Sequence, residues 1–151
     1  MIKALKREKT GRPSPRAQFK NDLVTANIQA VLNFDGGCWP NPGPAVAGFV
    51  LKYGVTIVEG SVPIGHGTNN IAEYSGLILG LQAALDAGVT DIEVYGDSTL
   101  VVNGVKRGPW KKGNPKLEAL KADAVGLLSR FRRAEVIWVP REENVEADAL
   151  T

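Results

Sequence analysis

Hydrophobic and polar positions alternate in the first half of the folded chain and recur every three to four residues in much of the second. From Ile28 the pattern is that of strands. Asn27–Phe34 predicts a first strand, Val46–Tyr53 a second and Val55–Pro63 a third, with Gly54 marking a tight turn that makes the last two antiparallel. Residues Gly65 to Asn70 read as loop. Over Ile71–Ala87 the period lengthens, placing Leu77, Leu81, Ala84 and Leu85 on one face of a helix, with Asn70 as N-cap and Gly88 as stop. Asp91–Tyr95 predicts a short strand and Thr99–Lys106 a short helix. A loop over Gly108–Pro115 leads into a second long helix, Lys116–Arg132, with Leu117, Leu120, Ala124, Leu127, Leu128 and Phe131 at helical spacing. Ala134–Val139 is a last strand, and a final helical turn starts at Glu143 or Asn144 and includes Asp148. The order β-β-β-α-β-α-α-β-α predicts a mixed α/β fold, with an antiparallel meander first and parallel strands where helices intervene.

The 151 residues are 44% hydrophobic and 23% charged, enough for one domain around one core. One cysteine excludes an internal disulfide and a cysteine-rich zinc site, and makes a reducing, cytoplasmic setting the expectation. No apolar run reaches the ~20 residues that span a bilayer, and the N-terminus lacks the apolar core of a secretory signal. Charge is unevenly placed. Residues 1–20 carry seven Lys or Arg against Glu8, a net of +6, while the rest of the chain carries 11 basic and 15 acidic residues, a net of −4. Residues 1–26, with Gly11, Pro13 and Pro15, therefore read as a basic flexible arm with room for a short helix over Ile2–Lys9, and 27–151 as the folded domain. Such an arm either contacts a polyanion or is a solvated tail.

Four carboxylates fall at element junctions. Asp35 ends the apolar run Val31–Phe34 and is followed by Gly36 and Gly37, then by Pro40, Pro42 and Pro44 in a stiff loop. Asp97 follows the Asp91–Tyr95 strand, and Glu73 and Asp148 are expected in the first turns of helices. Each has a plain structural alternative: a turn at Asp35, a capping box from Asn70 to Glu73, an N-cap at Asp97, a solvated helix position at Asp148. Sites in α/β sheets gather at the carboxyl ends of strands. Four acids meeting there repel unless cations neutralise them, and hard oxygen ligands select Mg²⁺ or Mn²⁺. Two such ions about 3.5–4 Å apart activate a water and stabilise a leaving oxygen in phosphodiester hydrolysis.

Four blocks carry a family resemblance: Asp35-Gly36-Gly37 with Asn41-Pro42-Gly43-Pro44; Thr68-Asn69-Asn70 with Ala72-Glu73; Tyr95-Gly96-Asp97-Ser98; and Glu146-Ala147-Asp148. Together they resemble ribonuclease H, type 1, over about residues 28 to 151. The resemblance implies a five-stranded mixed sheet flanked by helices, and an endonuclease that cuts the RNA strand of RNA–DNA hybrids with two Mg²⁺ ions, Mn²⁺ substituting, to leave 5′-phosphate and 3′-hydroxyl ends. It implies that Asp35 bridges both ions, that Asp148 joins it on the ion carrying the attacking water, and that Glu73 and Asp97 hold the other. It places Gly36, Gly37, Cys38, Asn41, Asn69 and Glu73 at the 2′-hydroxyls of the RNA strand. Thr68 and Asn114 fall in a pocket for a DNA-strand phosphate, and Trp110, Lys111 and Lys112 on the DNA backbone. No membrane and no obligate protein partner is implied.

The chain departs from that family in three places. Val139 to Asn144 runs almost directly into the last helix without the histidine loop of many relatives, which leaves Arg141 to take over part of that role. His66, the only histidine, stands near the phosphate pocket as a weak contact. The basic protrusion is missing between the Thr99 and Lys116 helices, so the basic arm is expected to compensate. Three residues follow Asp148, and so short a closing turn is expected to fray. The alternatives are a nucleic-acid-binding module on the same fold with weak or no catalysis, and a nuclease that also cuts double-stranded RNA.

Overall fold

The computed structural model describes residues 4–8, 27–106 and 114–151, the first of these as backbone only. The remainder of the arm, beyond residue 8, lies outside the described residues, as do Trp110, Lys111 and Lys112. Strands β1 (Ala4–Glu8), β2 (Gln29–Cys38), β3 (Gly43–Tyr53) and β4 (Thr56–Gly67) come first. Helix α1 (Asn69–Asp86), strand β5 (Asp91–Gly96) and helices α2 (Thr99–Lys106) and α3 (Pro115–Leu128) follow. Strand β6 (Arg133–Trp138), a 3₁₀ turn (Arg141–Glu143) and helix α4 (Val145–Asp148) close the order.

One sheet runs β1-β4-β3-β2-β5-β6. The expected five strands are β2 to β6. β2, β3 and β4 form the antiparallel meander, and β5 and β6 are added parallel to β2. The sixth strand is a correction: part of the Ile2–Lys9 segment is an edge strand rather than a helix, Ala4 to Glu8 pairing antiparallel with Gly60 to Thr56 of β4. Lys and Arg have good helix propensity, but the free edge of β4 offers backbone partners, and pairing overrides that weak preference.

Strand alternation sends Ala30, Leu32 and Phe34 of β2 to one face, where they meet Tyr74, Leu77 and Leu81 of α1 and Val94 of β5 in the core. Each fully buried Leu or Phe of this set contributes roughly 1.5–3 kcal/mol. The opposite residues, Asn33 and Asp35, are thereby turned to the other face. Helix α1 sits unusually close to β2. A Cβ at Gly36 would fall on the backbone of Ala72 and Glu73, and one at Gly76 on the carbonyl of Asp35. These two glycines set the distance between Asp35 and the second turn of α1.

Several boundaries moved. β4 continues through the expected loop to Gly67, with His66 exposed opposite Pro44. The N-cap of α1 is Thr68, not Asn70: its Oγ1 accepts from the Ile71 N–H at 3.2 Å. The extended β4 delivers the chain to the helix two residues early, so Glu73 lies in the second turn rather than the first, and the capping-box alternative for it falls away. α3 ends at Leu128 rather than Arg132, with Phe131 buried in the turn that follows.

Candidate active site

Three chain segments meet where the parallel pairing of β2 with β5 ends, while β2 itself runs past the expected end at Phe34 to Cys38, so that Asp35 lies inside the strand. β2 brings Asp35, β5 ends just before Asp97, and α1 lays Glu73 against Gly36. One carboxylate oxygen from each of Asp35, Glu73 and Asp97 lies within 4.8 Å of the others. Asp35 and Glu73 are buried. Asp97 does not cap α2. Ser98 does, its Oγ accepting from the Val101 N–H at 3.2 Å, and the Asp97 carboxylate is left to the cluster. Glu73 Oε2 and Asp97 Oδ2 are buried with no hydrogen-bond partner. Two orphaned acceptors in one acidic cluster are costly unless a cation fills the space between them. All the donors are oxygens, so the set fits a hard divalent cation.

Electrostatics agree. Burial pushes the Glu73 carboxyl far above the usual carboxylate range, and the neighbouring Asp35 charge pushes it further. Burial also raises Asp35, with a Glu73 hydrogen bond and the Gly36 N–H pulling the other way and the Asp97 charge adding to the rise. Without a cation the pair holds a proton near neutral pH.

Asp148 reaches the same cleft, an opening of about 850 Å³ lined also by Gly36, Gly37, Cys38, Trp39, Asn69, Arg141 and Thr151. It is not among the three within 4.8 Å of one another, but it lies beside Asp35, and Arg141 Nη2 donates to its Oδ1 at 3.2 Å. The short last helix is tied down. Asn144, 1% exposed, donates from Nδ2 to the Phe34 carbonyl at 2.8 Å and accepts on Oδ1 from Asn33 Nδ2 at 2.9 Å. Ser61 Oγ donates to the Leu150 carbonyl at 2.7 Å, and Thr151 Oγ1 to Asp35 Oδ2 at 3.2 Å. The expected fraying is thus opposed by four hydrogen bonds to β2 and β4. Sequence reading named Asn144 only as a helix start. The available signal was Asn33, a polar residue two before Asp35 on the same strand face. Replacing Asn144 with Ala strands the Phe34 carbonyl and the Asn33 amide. The expected cost is about 2–3 kcal/mol, read by urea unfolding, together with weaker divalent-ion affinity as Asp148 loses its anchor.

The loop residues also come together. Asn69 Oδ1 accepts from the Cys38 N–H at 3.0 Å, and Asn41 Oδ1 accepts from the Asn69 N–H at 3.2 Å and from Cys38 Sγ at 3.3 Å. The β2–β3 loop is thereby locked to the start of α1 beside the carboxylates. Thr68 stands at the same helix start as its cap. Asn114 caps α3, its Oδ1 accepting from the Lys116 N–H at 2.9 Å. Trp138, which sequence reading did not single out, donates from its indole Nε1 to the Asp97 carbonyl at 3.1 Å and fixes the end of β5. A second groove, about 960 Å³, opens at the other end of the sheet. Asp91 there is paired with Arg132 at 2.9 Å and Lys52 with Glu146 at 2.7 Å, and among the described residues the groove holds no cluster of metal-ligating side chains.

The family described as "Reverse transcriptase-like" matches residues 33–151. A bifunctional protein of Mycobacterium tuberculosis is 43% identical over 126 residues, 82% of this chain and 34% of that protein. Its N-terminal RNase H domain, solved as a fusion with maltose-binding protein, superposes with a TM-score of 0.78, covering 83% of this chain and 91% of that one. Ribonuclease HI of Halobacterium salinarum is 44% identical over 119 residues, 78% of this chain and 59% of that protein. The crystal structure of RNase H1 from that archaeon gives a TM-score of 0.75, covering 81% of this chain and 93% of that chain. LC11-RNase H1, solved in complex with an RNA/DNA hybrid, is 34% identical with a TM-score of 0.72, over 80% of this chain and 92% of its own. The chain belongs to the ribonuclease H family, within the reverse transcriptase-like group. It spans about a third of the length of the mycobacterial relatives, 34%, and 59% of the halobacterial one.

Proposed function

We propose that the chain is an endonuclease that hydrolyses the RNA strand of RNA–DNA hybrids and depends on two Mg²⁺ ions, with Mn²⁺ able to replace them. The observation that carries this reading is the cluster of Asp35, Glu73 and Asp97, within 4.8 Å, with two buried oxygens left unpartnered. Membership of the ribonuclease H family and the hybrid bound by LC11-RNase H1 support the choice of substrate.

Asp35 would hold both ions, sharing one with Asp148 and the other with Glu73 and Asp97. When bound, the ions would supply an activated water and charge stabilisation for the leaving 3′-oxygen, chemistry that gives 5′-phosphate and 3′-hydroxyl ends. The protein's own part is orientation. Gly36, Gly37, Cys38, Asn41 and Asn69 present backbone and amide groups to the 2′-hydroxyls, the feature that separates RNA from DNA. Thr68 and Asn114, with His66 nearby, receive a phosphate of the DNA strand, and Trp110 with Lys111 and Lys112 follows its backbone. Arg141, now paired with Asp148, exchanges that carboxylate for the scissile phosphate when substrate arrives. Residues 27–151 form the catalytic unit, and the basic residues of 1–20 add salt-sensitive affinity for the hybrid.

The test is a labelled RNA–DNA hybrid beside matching RNA–RNA and DNA–DNA duplexes, each with Mg²⁺, Mn²⁺ or chelator. Metal-dependent cutting of the hybrid's RNA strand alone is the expected result. Cutting of RNA–RNA as well widens the substrate range, and binding of the hybrid without cutting in either metal would replace this reading with that of a binding module.

A further inference from the structure

Trp39 is the most exposed large apolar side chain among the described residues, at 88%. Indole rings are rarely left so open to water, because they carry more buriable area than any other side chain. This one stands on the rim of the carboxylate cleft. Its support is rigid. The residue before it is pinned by Asn69, Asn41 braces the loop from the other side, and the Trp39 N–H donates to the Pro44 carbonyl at 3.4 Å. A flat apolar surface held still beside a polar site loses little freedom when it is covered, as binding hot spots require.

We propose that Trp39 is a further substrate-binding residue: its indole face packs on the sugar of an RNA-strand nucleotide a few steps from the scissile phosphate. This rests on the RNA–DNA hybrid reading above. Trp39 lies four residues beyond Asp35, which puts it roughly 13 Å along the strand direction at ~3.3 Å per residue. At ~3.4 Å of duplex axis per nucleotide that is up to about four steps, so the contact falls a few nucleotides away and not on the reacting phosphate. The bases of a hybrid are paired and stacked, so the surface that meets a protein from the shallow groove is the row of riboses with their 2′-hydroxyls. Cys38, Asn41 and Asn69 face that row with polar groups, and Trp39 beside them offers the ribose carbons an apolar face. A contact made equally in ground and transition states changes KM and leaves kcat.

The experiment uses the whole chain. Hybrid binding is measured by fluorescence anisotropy in an Asp35→Asn background, and cleavage with Asp35 intact. Trp39→Ala is expected to weaken binding about tenfold, within the range found on removing aromatic platforms. KM should rise in step and kcat hold, while Trp39→Phe keeps most of the affinity. Intrinsic indole emission should change on adding hybrid, and that change should be clearly smaller in Trp39→Phe, the remainder coming from Trp110. The melting temperature should stay put in both variants. Unchanged Kd and KM in Trp39→Ala would overturn the assignment and leave the proposed function standing, as would a fall in kcat with KM unchanged. A parent chain that neither binds nor cuts hybrid overturns the function reading and the assignment together.

Discussion

Replacing Asp35 with Asn stops cleavage, lowering the rate at least about a thousandfold, while hybrid affinity stays within a few-fold of the parent. The two outcomes separate because the groups involved are different. Asp35 is the carboxylate shared by the cluster, in contact with both Glu73 and the Asp148 side of the cleft. Asn has the same shape and cannot neutralise a cation. The loop of Cys38, Asn41 and Asn69 is held by its own hydrogen bonds, none of which uses the Asp35 side chain. Gel assays of labelled hybrid give the first number and anisotropy the second. Near-normal turnover in this variant would remove the metal-holding role from Asp35.

Glu73→Gln is the second large effect, and it has a signature in the metal-free protein. Besides losing cleavage, the variant should lose a dependence of stability on pH. In the folded chain the Glu73 carboxyl is pushed from 4.5 up to about 10, first by burial and then by the Asp35 charge. Above pH 4.5 the unfolded chain gives up this proton more readily than the folded one. Stability from this group is therefore complete below its unfolded value and falls as pH rises toward the folded one. Asp35, raised from 3.8 to about 6 chiefly by burial, adds the same sign over the lower part of that window. In chelator, the parent chain should melt at progressively lower temperature between about pH 5 and 9, and Glu73→Gln should flatten most of that slope. Saturating Mg²⁺ should flatten it in the parent, since a bound cation holds the carboxylates ionised. Superimposable slopes for parent and variant in chelator would mean that Glu73 is not the buried acid described here.

Much of this was legible before any coordinates, because it depends on local pattern. The period of two through Val31–Phe34 and of 3.6 through Leu77, Leu81 and Ala84 fixed which faces turn inward, and the parallel placement of β5 and β6 followed from the intervening helices. Of the junction positions expected for the three clustered acids, only that of Asp97 held: Asp35 lies inside β2 and Glu73 in the second turn of α1, and the close packing of α1 on β2 brings them together. What escaped depends on partners distant in sequence. The strand at Ala4–Glu8 exists because β4 has a free edge, which no property of residues 4–8 reveals. The Thr68 cap follows from β4 running on to Gly67, and one moved cap changed the turn in which Glu73 sits. Asn144 reaches across 110 residues to Phe34, Trp138 across 41 to Asp97, and neither pairing leaves a local trace. The exposure of Trp39 likewise has no local trace, since a buried and an open indole look alike in sequence.

The measurement that tests the central claim most directly is the chemistry of the product ends. RNA fragments released from a hybrid in Mg²⁺ would be sized by mass spectrometry, with a chelator control. Attack by an activated water with departure of the 3′-oxygen predicts 5′-phosphate and 3′-hydroxyl ends, and no fragments in chelator. Fragments ending in a 2′,3′-cyclic phosphate with a 5′-hydroxyl, or formed equally well in chelator, would show that the RNA's own 2′-hydroxyl is the nucleophile and would contradict the role given to the four carboxylates.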